Sequence, residues 1–516
     1  MLSPYLLVWG LILLRAFVAA SPVALNTPYY FQRDAVTRAE LPLATIQQEL
    51  GSLLSPESVV IFLSDARWNE VTRRWRTTAP PDVQVVVQPG SEDDVPEIVK
   101  YCNKNSLAFL AVNRGHGFTT SLGNFKGVQI DLKQLTGITT MSDRKPAMLQ
   151  GGTYVSNIVD ALWEKGYVTS TGSVDCIGAV GTALGGGHSR YEGIHGLIAD
   201  QVIQFNVVLA DGSTIEVNET SHEDLFWAMK GAGHNFGIVT SMRFKIYPAE
   251  AKTWHYHNYV WRQDKMESVF RALNKINDDG ATPPELVNAG SIAFNQSVST
   301  TEATISWQFS YAGSAQDAEK LLEPFNAIEA VYQEQGDVPY PEISRIGDPD
   351  ATTCNSDNFE LSTVLTQMWN ITTQHQLLDN FLQNAARYPE LGQNARLFYE
   401  GYPVQAVTTV DPASTAYPHR DEYHLAIFMT TVPEGREDLS PAAAQWARDV
   451  WDLFQAGRPP MRKPAVYVNY VAGHDFETLE SVYGHEPWRL ARLRDLKAKY
   501  DPQNRFYYFV PIIPES

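Results

Sequence analysis

The sequence predicts an α+β protein of two domains. Three observations lead there: an early strand, helix, strand unit that ends in a glycine turn, a later strand of strict polar and apolar alternation, and 516 residues of chain, which two cores accommodate more naturally than one.

Met1 to Ala20 reads as a secretory signal peptide: Tyr5 to Leu14 is mostly apolar, and Val18 and Ala20 suit the positions before a cleavage point. No lysine or arginine precedes that run, and Arg15 ends it early. A run of about ten residues is too short to span a bilayer, so no stable membrane insertion is expected once it is removed.

Val83 to Val87 is a β-branched run closed by Pro89-Gly90, after which Ser91 offers a side-chain cap to a helix. On that helix Val95, Ile98, Val99 and Cys102 fall at i, i+3, i+4 and i+7, one face against a sheet, so Cys102 reads as core. Leu107 to Val112 returns as a strand and runs into Asn113-Arg114-Gly115-His116-Gly117. Glycine has no Cβ and tolerates positive φ, so an imidazole between Gly115 and Gly117 sits on backbone that a flat or anionic ligand can approach closely.

Two further glycine-rich stretches follow, Val180-Gly181-Thr182-Ala183-Leu184-Gly185-Gly186-Gly187-His188 and Lys230-Gly231-Ala232-Gly233-His234-Asn235-Phe236-Gly237. None has the order strand, glycines, helix that a Rossmann turn requires. After His116 the chain passes to another strand, Gly127 to Leu132. After Gly187 it goes through a loop to a strand at Val202 to Leu209, and the third stretch runs helix (Glu223 to Met229), turn, strand (Ile238 to Ile246). A nicotinamide dehydrogenase is not expected.

From about Ala249 the texture changes. Ile305, Trp307, Phe309 and Tyr311 alternate with Thr304, Ser306, Gln308 and Ser310, the pattern of a half-buried antiparallel strand. Ser314 and Asp317 open a helix, His424 to Thr431 reads as a strand, and Trp446, Val450, Trp451 and Phe454 stripe another helix. There is no internal repeat and no long low-complexity linker.

The net charge of −19 argues against a nucleic-acid partner, which needs a basic face. Three cysteines, Cys102, Cys176 and Cys354, are too few for a disulfide scaffold; one pair can form, and spacing does not choose it. Asn218, Asn295 and Asn370 head glycosylation sequons that matter only in the secretory pathway. His255 and His257 have metal-like spacing, but no carboxylate or cysteine follows at ligand distance, so no metal is expected. No Gly-x-Ser-x-Gly elbow supports serine hydrolysis.

The three glycine stretches, followed far downstream by Tyr467-Val468-Asn469-Tyr470, Tyr483-Gly484 and Lys499-Tyr500-Asp501-Pro502-Gln503-Asn504-Arg505-Phe506, resemble the FAD-linked oxidases of the vanillyl-alcohol oxidase superfamily, within it the berberine-bridge-enzyme-like group. The resemblance implies a two-subdomain PCMH-type FAD-binding domain over residues 21–249, with its core at 81–249. It also implies a substrate domain over 250–460, with an antiparallel sheet backed by helices, and a C-terminal segment, 461–516, that completes the FAD domain. It implies FAD bound covalently through one histidine, His116, to the flavin 8α-methyl, with Arg114, Gly115, Gly117, Gly181, Gly185, Gly186, Gly187, Gly237 and Asn469 around the cofactor. Asn113-Arg114 depart from the glycines often found there, and Arg114 is suited to pair with a phosphate. A second link through cysteine, present in a subset of the family, falls at Val174, with Cys176 two residues late.

The same resemblance makes Tyr470 the base, with Tyr467 as neighbour and substitute, and suggests that His419-Arg420 lines the cleft. A phenol needs help to act as a base, from a positive neighbour or the reduced flavin. Two tyrosines at i and i+3 converge only if their strand is irregular. The implied activity is a secretory-pathway oxidase. It passes hydride from a small organic molecule, a secondary metabolite with an alcohol or activated C–H, with or without oxidative cyclisation, to FAD and then to O2. The alternatives are an extracellular carbohydrate oxidase and, in another class, a pericyclic or binding scaffold with structural flavin.

Overall fold

The computed structural model describes residues 43–141, 146–278, 280–299, 301–347 and 352–513. The signal-peptide reading of 1–20 lies outside them. Among the described residues no helix is long and apolar enough to cross a membrane.

The first sheet has four strands in the order Val59–Ile61, Asp82–Gln88, Lys126–Asp131, Phe109–Val112, the last two pairings parallel. The helix Asp94–Lys104 lays Val95, Ile98, Val99 and Cys102 on it, all buried with Val85, Val87 and Ile130. Ser91 does not cap this helix through its side chain. Its backbone N–H donates to Asp94 Oδ2 (2.8 Å), which also accepts from Gly90 N–H (3.0 Å) and the Ser55 and Ser58 hydroxyls (2.7 and 2.8 Å). A first-turn carboxylate holds several donors at once and suits the helix dipole, so it outcompetes a hydroxyl.

The second sheet is antiparallel, in the order Ile138–Thr140, Pro146–Gln150, Ile238–Lys245, Val202–Val208, Thr214–Asn218. The third has seven antiparallel strands, in the order Tyr332–Val338, Trp254–Arg262, Ala303–Tyr311, Leu286–Phe294, Arg396–Gly401, His424–Thr431, Phe359–Thr366. Helices back it: Ala315–Asn326, where Ser314 Oγ accepts from Asp317 N–H (3.2 Å), and Ser440–Ala456, where Trp446, Val450, Trp451 and Phe454 are all buried. The strand Ala303–Tyr311 is more covered than alternation suggests, because Thr304 and Ser310 are buried and Ser306 and Gln308 half-buried. Its polar face turns into the cleft instead of to bulk solvent.

The C-terminal segment packs back on the first two sheets. Lys497 Nζ, fully buried, pairs with Asp501 (2.8 Å) and donates to the carbonyls of Asn235 (2.8 Å) and Phe506 (2.6 Å). Ser121 Oγ donates to Tyr508 O (2.9 Å), and Ile512 N–H to Asn235 Oδ1 (2.9 Å).

The cysteine pairing left open by spacing is Cys176–Cys354, with Cα atoms 6.1 Å apart. Cys102 is free and buried, its thiol pushed up to about 12 by burial.

Candidate active site

A cavity of about 740 Å³ opens between the glycine turns and the seven-stranded sheet. The strand Phe109–Val112 delivers the chain into it at Gly115, whose φ is +72° and where a Cβ would meet Arg73 O at 2.9 Å. Glycine is required on both counts. His116 follows, its ring stacked on Trp75 (centroids 4.8 Å apart), which stacks in turn on Phe118 (4.6 Å), while Trp75 Nε1 donates to Thr353 O (2.8 Å). Burial lowers the His116 imidazole to about 4, only partly offset by its hydrogen bond to the Thr353 backbone. The ring is therefore neutral at physiological pH, and its Nε2 is buried without a hydrogen-bond partner.

An isoalloxazine ring fits this arrangement. His116, Gly115, Gly117, Gly181 and Gly237 line one cavity, and a Cβ built on Gly181 meets nothing within 4 Å, so that turn faces open space. Arg114 lines it too, but its guanidinium donates to Gly152 O (3.3 Å) and lies over the Tyr154 ring (3.9 Å), leaving Nε buried without a partner. Asn113 Nδ2 donates to the carbonyls of Gly151 (2.7 Å) and Thr153 (3.1 Å). The two residues that depart from the family's glycines thus tie the first sheet's turn to the second sheet.

Gly185, Gly186 and Gly187 are not among the cavity's lining residues. They form the tight turn beneath it: a Cβ on Gly185 would fall 2.2 Å from Asn469 Oδ1, and Gly186 and Gly187 have φ of +99° and +84°. What needs their small size is the close approach of Asn469, Tyr417 and Ile198. His419-Arg420 does not line the cleft either. Arg420 is buried against Asp200 (2.8 Å) and Thr415 Oγ1 (3.0 Å), and His419 Nε2 faces Val482 O (3.1 Å), because a buried guanidinium needs a carboxylate.

Tyr467 and Tyr470 do converge. The segment Val468–Tyr470 is one turn of 3₁₀ helix, closed by Tyr470 N–H donating to Tyr467 O (2.8 Å), and residues three apart eclipse in that geometry. Their ring centroids are 4.9 Å apart. Asn469 Nδ2 donates to Tyr467 Oη (2.6 Å) and to Thr182 O (3.1 Å). Tyr470 Oη donates to Glu400 Oε2 (3.1 Å), and Tyr402 Oη to Glu400 Oε1 (2.9 Å).

Among the hydrogen bonds of the described residues, Tyr470's partner is this carboxylate and not a positive side chain, which of the two expected aids leaves the reduced flavin. Burial raises both phenols above their ordinary range, and it raises the Glu400 carboxyl despite its tyrosine donors. Beside them His188 stacks on Tyr402 (5.2 Å), with Nδ1 on Glu192 (3.1 Å) and Nε2 near Tyr417 Oη (3.1 Å). Glu400, Tyr402 and His188 are additions to the sequence reading. His188 was signalled by its place directly after Gly185-Gly186-Gly187, whereas Glu400 ends an ordinary strand with no motif around it.

The sheet floors the cavity with an apolar half, Phe398, Ile427 and Met429, and a polar half, Ser291, Ser306, Gln308 and Ser310. The cleft thus has both an apolar and a polar wall. Val174 lines the cavity, while Cys176 leaves that wall for its disulfide. Of the sequons, Asn370 is committed as a helix cap, with Oδ1 accepting from Thr373 N–H (3.2 Å) and Nδ2 donating to Gly457 O (3.0 Å). Asn218 Oδ1 accepts from Thr220 N–H (2.9 Å), and Asn295 Oδ1 from Ser297 N–H (3.0 Å).

Residues 83–218 match the family described as an FAD binding domain. The chain is 50% identical over 98% of both chains to the FAD-linked oxidoreductase iacH of Pestalotiopsis fici, and 45% identical to the FAD-linked oxidoreductase anuG of Penicillium roqueforti, covering 98% of this chain and 99% of the relative. The fold is that of the xylooligosaccharide oxidase of Myceliophthora thermophila C1, with a TM-score of 0.77, 22% identity, and coverage of 91% of this chain and 99% of that one. Read together with the His116 turn and the paired tyrosines, these likenesses mean that the chain belongs to the FAD-linked oxidoreductases of the vanillyl-alcohol oxidase superfamily.

Proposed function

We propose that this enzyme oxidises a small organic secondary metabolite at an alcohol or activated C–H, using FAD held covalently through His116 alone. The observation that carries the reading is the Tyr470–Glu400 hydrogen bond at the wall of the cavity that His116 enters. The chemistry FAD supplies when bound is acceptance of a hydride from carbon and its passage to O2.

The chain's own residues manage the proton. Substrate O–H lies against Tyr470 Oη, whose proton moves to Glu400 as it accepts the substrate's. Burial raises the Glu400 carboxyl, which makes it a better terminal acceptor than an exposed glutamate. Tyr402 holds the other Glu400 oxygen in place, and Asn469 fixes Tyr467. Neutral His116, with Nε2 unpartnered, is suited to attack an electrophilic methyl carbon. Val174 offers no thiol for a second link, and Cys176 is bonded to Cys354. The same disulfide supports an oxidising, secretory compartment.

The polar half of the floor, Ser291, Ser306, Gln308 and Ser310, favours a second reading, oxidation of a carbohydrate. Anaerobic mixing of holoprotein with allylic and benzylic alcohols on one side and oligosaccharides on the other, followed by flavin absorbance, separates the two. Bleaching by the alcohols supports the first reading and bleaching by sugars the second. Bleaching by neither, with flavin bound, supports a structural flavin.

A further inference from the structure

On the opposite face of the seven-stranded sheet, away from the cavity, three side chains from distant parts of the sequence converge. The strand Trp254–Arg262 turns His255 and His257 toward the helix Ala315–Asn326, from which Glu319 reaches back. Glu319 Oε1 lies 2.9 Å from His255 Nε2 and 2.7 Å from His257 Nδ1. The three candidate donor atoms all lie within 4.8 Å of one another. Both imidazoles are buried, at 3% and 2% side-chain exposure, while Glu319 at 27% keeps an opening to solvent.

The hydrogen-bond count around these rings points to a cation. His255 faces a carboxylate at both nitrogens, since its Nδ1 is 2.8 Å from Asp337 Oδ1, yet a neutral imidazole has one N–H to give. With Nδ1–H on Asp337, the Nε2 lone pair is left pointing at the Glu319 oxygen. That is an unfavourable contact unless an electrophile, a second ring proton or a metal ion, sits between them. His257 Nε2 is buried with no partner, so the ring's only engaged nitrogen is Nδ1, the one aimed into the cluster. Tyr259 Oη gives its proton to Asn326 Oδ1 (2.7 Å) and stands 2.9 Å from His257 Nδ1.

We propose that His255, His257 and Glu319 bind one zinc-type divalent cation, with Asp337 orienting His255 and solvent supplying a fourth ligand. Two imidazole nitrogens and one carboxylate oxygen are a zinc donor set, and nitrogen donors disfavour calcium and magnesium. The Asp337–His255 contact is the outer hydrogen bond that metal-ligating histidines usually make. Donors on a tetrahedral zinc stand about 3.3 Å apart, so occupancy needs the partly exposed Glu319 carboxylate to draw back from both rings and the two imidazole nitrogens to settle at that separation. The ion would pin the edge strand Tyr332–Val338, through Asp337, and the helix Ala315–Asn326 to the sheet.

The test is calorimetric titration of zinc chloride into flavin-loaded holoprotein first stripped with EDTA and freed of chelator, with calcium chloride as control. The expected result is one zinc per chain at a micromolar or lower Kd, a raised Tm at saturating zinc and no response to calcium. Glu319→Gln keeps the Asn326 contact and the volume, so it should weaken zinc binding at least tenfold while flavin absorbance and turnover stay as in the wild type. His257→Gln should do the same. No stoichiometric zinc binding by the wild type would overturn the proposal, and so would binding by both variants as tight as the wild type's, which would locate the ion elsewhere.

Discussion

Tyr470 Oη donates to Glu400 Oε2 across 3.1 Å, joining a residue of the C-terminal segment to the end of a strand in the middle of the seven-stranded sheet. Neither side chain is a good base alone. On the proposed reading they form a two-step proton path whose far end is a carboxylate raised by burial. Tyr470→Phe is expected to slow anaerobic flavin reduction by about 10²- to 10⁴-fold, the usual worth of a positioned general base. Tyr467→Phe should cost about tenfold or less, because its oxygen already accepts from Asn469. Stopped-flow reduction of the two variants checks this, and the reverse ranking would give the role to Tyr467.

The same pair sets a pH dependence. Glu400 accepts only when ionised, so kcat/KM should fall as pH drops through its raised pKa. Glu400→Gln should be slow and lose that acidic limb. A variant profile that keeps the wild-type limb would assign it to another group.

Covalent attachment should depend on His116. Acid precipitation is expected to leave yellow colour in the wild-type pellet and none with His116→Ala. Colour retained in both would move the link elsewhere in the chain.

His424 gives a thermodynamic prediction. Its ring is buried, stacked on Trp369 at 4.5 Å, with neither nitrogen hydrogen-bonded, and burial lowers it to about 3. The unfolded ring titrates near 6.5 and takes up a proton that the folded one refuses. Wild-type stability therefore rises with pH between those values, by about 1.4 kcal/mol per pH unit from this residue. His424→Phe removes that slope and two unpaired nitrogens. Denaturant melts should show the variant at least as stable near neutrality and gaining on the wild type as pH falls below about 6.5. A constant difference across pH would count against a buried neutral ring.

Cys354→Ser should lower stability by about 2–5 kcal/mol, since the bond closes a long loop. Flavin should stay on the His116 peptide, because the freed thiol is not at the Val174 position on the cavity wall. Denaturant midpoints and mass spectrometry of the flavopeptide read both outcomes.

Much of the first domain was legible from the chain. Apolar spacing at Val95, Ile98, Val99 and Cys102 marked a helix face on a sheet, and glycine at Gly115 and Gly117 marked the bend that carries His116, because both signals are local. The Tyr470–Glu400 pair was half visible. Tyr470 stood in a motif and Glu400 did not, since a strand-end glutamate looks the same whether it meets water or a phenol. Gly185, Gly186 and Gly187 stood out as a motif and were placed around the cofactor, whereas what their small size admits is the packing of Asn469, Tyr417 and Ile198.

The sequence by itself determined the family, the α+β class, the turn that presents His116 and the tyrosines around Asn469, all properties of contiguous residues whose backbone preferences act over a few positions. Only the tertiary structure decided that Cys176 pairs with Cys354, that the polar face of the strand Ala303–Tyr311 looks into a cleft, that Glu400 meets Tyr470 and that Glu319 meets His255 and His257. Each of these joins groups tens to hundreds of residues apart. Their meeting is set by how sheets and helices pack to bury apolar surface, which no local pattern records.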